Sequence, residues 1–350
     1  MNRFFTFVFV ALMATSMNAE SVITRIRLWK DGMTAYREEV AKIDSITFEH
    51  EYIPDAPEGA TNGWFTINSN GDKVFFSKGN LQYNATTGGF SFAEHQWDTI
   101  GSNNRLNGTM DLFSWGTGRT PNSTTASTAF NDWGANPISN GGNQANQWRT
   151  LTAAEWYYLF MNRSTNLFGL GTVNGVKGLI LLPDQWNGTG FNPGTKLLYN
   201  GNQYKGAKWT DNTYTAVQWA EMEAQGAVFL PVTGQRDGYS VTSTESYGGG
   251  VYWTSSATGG NTAGMVYFTE SDIRPSGQWH SYYGYAVRLV QSIAKYNNIN
   301  NNYFLYEKDS SSAIIAIGDD GKGRDCSDRR AAERKRQGIC GFAHRTNPIF

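Results

Sequence analysis

Residues able to transfer protons or bind metals are few and scattered in this sequence. The four histidines, His50, His95, His280 and His344, show no His-x-x-x-His or Glu-x-x-His spacing, so no zinc site is expected. Glu221 and Glu223 lie two apart on an expected helix and cannot face one another, which removes them as a glycosidase pair. There is no Gly-x-Ser-x-Gly elbow, and Gly248-Gly249-Gly250 suits a loop better than a phosphate cradle. Calcium takes about 6–8 oxygen ligands, and the loops bearing Asp98, Asp111 and Asp132 lack any oxygen-rich spacing. The segment that does offer chemistry points to recognition. Asp272, Arg274, Gln278, Trp279, His280, Tyr282 and Tyr283 set rings beside polar groups, the composition of a surface that grips a ligand with amphipathic side chains. These seven residues are the expected ligand-binding set; the alternative is that Trp279 and Tyr283 close the core beneath a loop. No catalytic residue, metal or cofactor is expected.

Composition narrows the classes. Of 350 residues only 17% are charged, while Gly numbers 39, Phe 20, Tyr 18 and Trp 12, so the polar surface must come from Asn, Ser, Thr and Gly. That profile fits a loop-rich, strand-containing exported protein and argues against coiled coils and helical bundles. Residues 321–350 carry eight Lys or Arg against three Asp or Glu, so a formal charge of −1 for the chain leaves −6 on residues 1–320. An acidic body of this kind is a poor nucleic-acid binder. Arg3 precedes an apolar run from Phe4 to Ala14, broken only by Thr6, and then small and polar residues to Ala19. A membrane span needs roughly 20 apolar residues. The run therefore reads as a secretory signal peptide over residues 1–19, without the cysteine of a lipoprotein signal, and no transmembrane segment is expected. Cys326 and Cys340, the only cysteines, lie in the Arg-rich end, so the body is expected to hold together by its core alone.

The elements that must position the binding set can be read from local signals. Alternation over Val22–Leu28, an Asp31-Gly32 turn and Ile43–Phe48 predict a small β module over residues 20–53. The prolines of Pro54–Gly59 predict a linker over 54–61. Short strands are expected at Trp64–Ile67, Lys73–Phe76, Gly178–Leu182, Ala227–Leu230, Met265–Phe268 and Tyr285–Val290. Thr152 with Glu155, and Thr215 with Gln218, have capping-box spacing and open two helices. Trp156, Leu159 and Phe160 share one face of the first; Val217, Trp219 and Met222 supply the apolar positions of the second, ahead of Gly226 as its stop. The long stretch 101–147 is expected to turn Trp115 and Trp133 inward, and Arg288 to be a structural arginine. Together these predict an α+β domain over residues 62–291 with two helices, short antiparallel strands and long Gly/Asn-rich loops. The strands at Met265–Phe268 and Tyr285–Val287 are expected to be antiparallel neighbours, with Asp272–Tyr283 a single excursion between them. Residues 292–350 read as an Asn-rich linker and an atypical, disordered basic tail.

The motifs also carry a resemblance. Val74–Tyr83, Asp111–Gly118, Trp148–Trp156 and Leu230–Arg236 resemble a large family of exported Bacteroidetes proteins, as does the early module from Trp29 to Phe48. Gly250–Ser256 followed by Tyr285–Val290 is similar to the Fibrobacter succinogenes major paralogous domain, which resembles the C-type lectin-like fold of formylglycine-generating enzymes and retroelement-diversified receptors. The resemblance covers residues 62–291. It implies a C-type lectin-like fold and an exported, cell-surface, extracellular or periplasmic binding module for a glycan or protein ligand, with the segment holding Trp279–Tyr283 as its ligand face. The alternatives are a degenerate relative of the formylglycine-generating enzymes with residual activity, and an architectural component of the cell envelope. The body lacks the cysteines of those enzymes, and it lacks the Glu-Pro-Asn, Gln-Pro-Asp and Trp-Asn-Asp motifs of calcium-dependent sugar binding. Neither activity is therefore carried over.

Overall fold

A computed structural model describes residues 25–30, 33–39, 54–101, 108–118, 126–193, 198–200, 203–242, 247–270, 272–294, 315–317 and 323–325. The expected signal peptide, the strand at 43–48 and the Asn-rich run lie outside these residues. The chain divides into two compact units, Met1–Glu51 with Tyr296–Phe350, and Tyr52–Lys295. In the first, β1 (Arg25–Lys30) and β2 (Met33–Glu39) pair antiparallel, Lys30 opposite Met33.

The second unit begins with β3 (Ala60–Thr66), β4 (Lys73–Ser77), β5 (Leu81–Asn84), β6 (Gly89–Phe92), β7 (Thr109–Met110) and β8 (Phe113–Ser114). It continues through β9 (Arg149–Thr150), α1 (Ala153–Met161), β10 (Phe168–Val173), β11 (Val176–Leu181), β12 (Leu198–Asn200), β13 (Gln203–Lys205) and β14 (Thr213–Tyr214). After α2 (Ala216–Ala224) come β15 (Val228–Pro231), β16 (Gln235–Asp237), β17 (Ser240–Thr242), β18 (Gly249–Gly259), β19 (Thr262–Thr269), β20 (Asp272–His280), β21 (Gly284–Tyr285) and β22 (Leu289–Ser292). In the first unit, within the stretch expected to be a disordered tail, β23 (Ile315–Ile317) pairs antiparallel with β24 (Gly323–Asp325).

The result is an α+β unit rich in antiparallel strands, with two helices among the described residues. None of its helices there is long and apolar enough to cross a membrane. Both helices start as their spacing predicts. The hydroxyl of Thr152 accepts from Glu155 N–H while the Glu155 carboxylate accepts from Thr152 N–H, and Thr215 and Gln218 repeat the exchange. The last turn of α2 closes on Gly226, whose φ of +94° belongs to the left-handed region. Trp156, Leu159 and Phe160 are buried, as are Trp219 and Met222. Val217, however, is 74% exposed. Two residues before Trp219, it stands about 200° around the helix from it, on the solvent side.

Four-stranded sheets run in the orders β14-β10-β11-β15, β17-β16-β21-β8 and β3-β4-β22-β9, and a five-stranded one runs β12-β13-β20-β19-β18. β22, from the end of the unit, pairs with β4 near its start, Val290 opposite Phe76, so the two ends of the unit meet. The stretch predicted as one strand over Tyr285–Val290 is interrupted. Tyr285 pairs with Phe113, Ala286 bridges to Tyr252, and only from Leu289 does the chain join β4 and β9. At the break, Arg288 turns inward. Its Nη1 donates to Asn80 Oδ1 (3.1 Å) and its Nη2 to Gln96 Oε1 (2.6 Å), so it is the structural arginine that was expected.

Trp115 and Trp133 point inward from the long loop, donating their indole N–H groups to Thr254 O and Thr117 Oγ1. One core cluster packs α1 against Phe76, Tyr252, Val266 and Phe268; a second gathers Trp115, Trp133, Val251, Trp253 and Tyr285. The central sheet lies between them, because Tyr252 and Trp253 alternate to its two faces.

Candidate functional site

β19 and β20 form the hairpin that carries the expected binding residues. β19 alternates so that Val266 and Phe268 enter the first core, while Ala263, Met265 and Tyr267 face the second. The strand paired with β19 is β20, with Phe268 opposite Ile273 and Ala263 opposite Trp279. The expected neighbour, Tyr285–Val287, is elsewhere: Tyr285 pairs with β8. Asp272–His280 is therefore a strand rather than an excursion. The backbone groups along one of its edges pair with β19, which the polar side chains of the segment conceal in the sequence.

The ladder sorts the seven residues. Trp279 is 44% exposed. Its ring lies 6.1 Å from His280 and 6.1 Å from Tyr283, at 68° to the latter. His280 stacks on Tyr282 (5.6 Å), and Tyr282 lies 4.7 Å from Tyr283. These four rings form one continuous group at the open end of the hairpin, with His280 exposed and both tyrosines half-buried. Asp272 and Arg274 form a separate ion pair of 2.6 Å, with the guanidinium 5.6 Å from the centre of the Tyr267 ring. Five residues of extended chain put Arg274 roughly 16 Å from Trp279. Gln278 pairs with Gly264 and, one residue from Trp279, projects to the opposite face. The structure thus brings together Trp279, His280, Tyr282 and Tyr283, holds Asp272 with Arg274 farther along the strand, and separates Gln278.

Residues outside the expected set complete the surface. Tyr283 continues into Tyr285 at 6.1 Å, and Tyr285 lies 4.6 Å from Trp253, so the exposed rings rest on the core without a break. Tyr247 lies 6.3 Å from Tyr267. Arg236 pairs with Gly284, which puts Asp237 across from Tyr283, with Tyr239 at the tip of the same β16–β17 hairpin and 85% exposed. The Asp237-Gly238 dipeptide marks this hairpin in the sequence, but nothing local shows that it docks beside Tyr283.

The phenols here are held neutral. Burial pushes Tyr247 up to about 12, with Tyr267 and Tyr283 adding to the effect. Tyr267, Tyr283 and Tyr285 are raised as well, by burial first, and Asp237 adds to the rise at Tyr283 and Tyr285. At ordinary pH Tyr247, Tyr267, Tyr283 and Tyr285 offer π surfaces and hydroxyl groups rather than phenolates.

Two open grooves of about 570 and 350 Å³ lie in the long loop region and share Asn136. Three of their polar side chains are committed to the fold. Asp132 accepts from Thr150 N, Thr150 Oγ1 and Gly134 N, while the amides of Asn131 and Asn136 donate to Gly116 O and Trp133 O. Among the described residues no three His, Cys, Asp or Glu side chains converge to hold a metal ion. Compared with models of protein families, with curated proteins and with solved structures, the chain matches none of them.

Proposed function

We propose that this protein is an exported, non-enzymatic binding module on a C-type lectin-like scaffold, recognising a glycan or protein ligand through the face built by Trp279, His280, Tyr282 and Tyr283. The observation that carries the reading is the continuity of these rings at one end of a paired hairpin, partly exposed and backed through Tyr285 by the core. Rigid aromatic side chains that lose little conformational freedom on contact are the usual anchors of a recognition surface. The scaffold reading is supported by the meeting of the unit's two ends at β4 and β22 and by the two helices flanking antiparallel strands. Export is supported by the signal-like segment at residues 1–19.

The test is the full chain on glycan and protein arrays, beside a Trp279→Ala, Tyr282→Ala double variant. Reproducible binding that the double variant loses, with its near-ultraviolet circular dichroism otherwise native, is expected. Undiminished binding by the double variant would place the ligand elsewhere, and absence of any array ligand would favour an architectural role.

A further inference from the structure

The hairpin already contains a complete unit of cation recognition. Arg274 lies over the Tyr267 ring at 5.6 Å and is neutralised by Asp272 at 2.6 Å, so ring, cation and carboxylate are all present. Roughly 16 Å farther along the strand, rings and a carboxylate recur without a cation. Trp279, 44% exposed, meets Tyr283 in a T-shaped contact at 6.1 Å and 68°, which leaves the indole as the open ring, and the strand register puts Asp237 across from Tyr283 on the same face. Asp237 is exposed and, among the described residues, its carboxylate has no hydrogen bond or ion pair. From these two observations, the paired rings and the carboxylate without a counter-ion, we infer that Trp279, Tyr283 and Asp237 form a site for an alkylated ammonium group, free in solution or displayed on a larger ligand. The inference rests on the reading of this face as the ligand-binding face and names the group it grips.

Charge and chemistry favour this group. The indole ring is the strongest aromatic partner for a cation, and an ammonium whose hydrogens are replaced by alkyl groups sheds its water more readily than a bare one. A carboxylate at the rim supplies the charge that a ring face lacks. The acidic balance of residues 1–320, −6 in all, draws cations rather than anions to the body.

Choline is the probe, titrated into the full chain by calorimetry. Its neutral isostere, with carbon in place of the ammonium nitrogen, and phosphatidylcholine vesicles form parallel arms. Saturable choline uptake is expected, about tenfold weaker for the isostere and for Asp237→Asn, and lost in Trp279→Ala. Both substitutions fall on exposed side chains, and near-ultraviolet circular dichroism checks that each variant is folded. Vesicle capture together with choline uptake assigns the group to a lipid surface; choline uptake alone assigns it to a solute or a larger soluble ligand. Equal uptake of choline and the isostere, an Asp237→Asn variant as tight as the parent, or no uptake in either arm overturns the inference. If an array ligand is lost in the Trp279→Ala, Tyr282→Ala variant while choline is never bound, the ammonium assignment alone fails. If neither is bound, the face itself is misassigned.

Discussion

Arg288 shows how one side chain can fix segments far apart in the chain. Its guanidinium reaches Asn80 and Gln96; Gln96 in turn donates to Glu223 Oε1 and Ala227 O and accepts from Phe229 N, and Asn80 donates to the Tyr252 hydroxyl. Among the described residues no carboxylate touches the guanidinium directly, and burial pulls its pKa below the usual value. A lysine carries the same charge but lacks the planar fork that meets both amides at once. Arg288→Lys is therefore expected to cost about 2–4 kcal/mol of unfolding free energy in urea titrations, because buried acceptors lose their donor. A change below about 0.5 kcal/mol would mean that the network contributes nothing to stability. The structural role of Arg288 was legible from its place between Val287 and Leu289, but the burial of all three at a strand break was not. Nor were the partners of Arg288, since they lie 208 and 192 residues away in the chain.

Helices were more legible than strands because their signals are local. In α1 the Glu155 carboxylate accepts from Thr152 N and from both terminal nitrogens of Arg149, whose Nε donates to Ser292. One side chain thus caps the helix and ties β9 and β22 to it. Thr152→Ala is expected to lower stability by about 1 kcal/mol, and Glu155→Ala by more, since it also frees Arg149. Val217→Glu should stay within about 0.5 kcal/mol of the parent despite replacing an aliphatic residue, because that position faces solvent. Thermal and chemical denaturation of the three variants check this order. β20 was missed for a physical reason. Only its first residues, Asp272 and Ile273, bury against β13 on one side, and the ladder to β19 shifts register between Met265 and Tyr267, opposite Pro275. A proline at a bulge with one free edge is compatible with a strand, but in the sequence it reads as a break. The aromatic group survived this error because Trp279 through Tyr283 are near neighbours in the chain. The contribution of Asp237 and Tyr247 depends on a docking that no local pattern encodes.

Among the described residues, the second unit is packed around buried aromatic rings, and its response to solution conditions should show this. With no cysteine before residue 326 and no converging ligand set among the described residues, chelator and reductant are each expected to leave the unfolding midpoint of the body unchanged. A chelator shift of several degrees would reveal a metal that neither sequence nor structure indicates. Alkali is a different matter. Burial pushes Tyr214 and Tyr247 up from 10 to about 12, and it raises Tyr252 and Tyr285 still further. Above pH 10 the unfolded chain loses phenolic protons that the folded chain keeps. Their contribution to stability is therefore complete below pH 10 and is lost as the pH climbs through about 12. Arg236 and Arg288, pulled down by burial to about 10, act the other way in the same range, because the folded state then holds fewer protons than the unfolded one. Arg163 is pulled down by burial as well, so six raised phenols stand against three lowered guanidinium groups and leave a net loss. Urea midpoints should be flat from neutral pH to about 9 and then fall, and part of the tyrosinate absorbance should appear only together with loss of the near-ultraviolet signal. Titration of every tyrosine near pH 10 with the tertiary signal intact would show that these rings, including those beneath the proposed ligand face, are not packed as described.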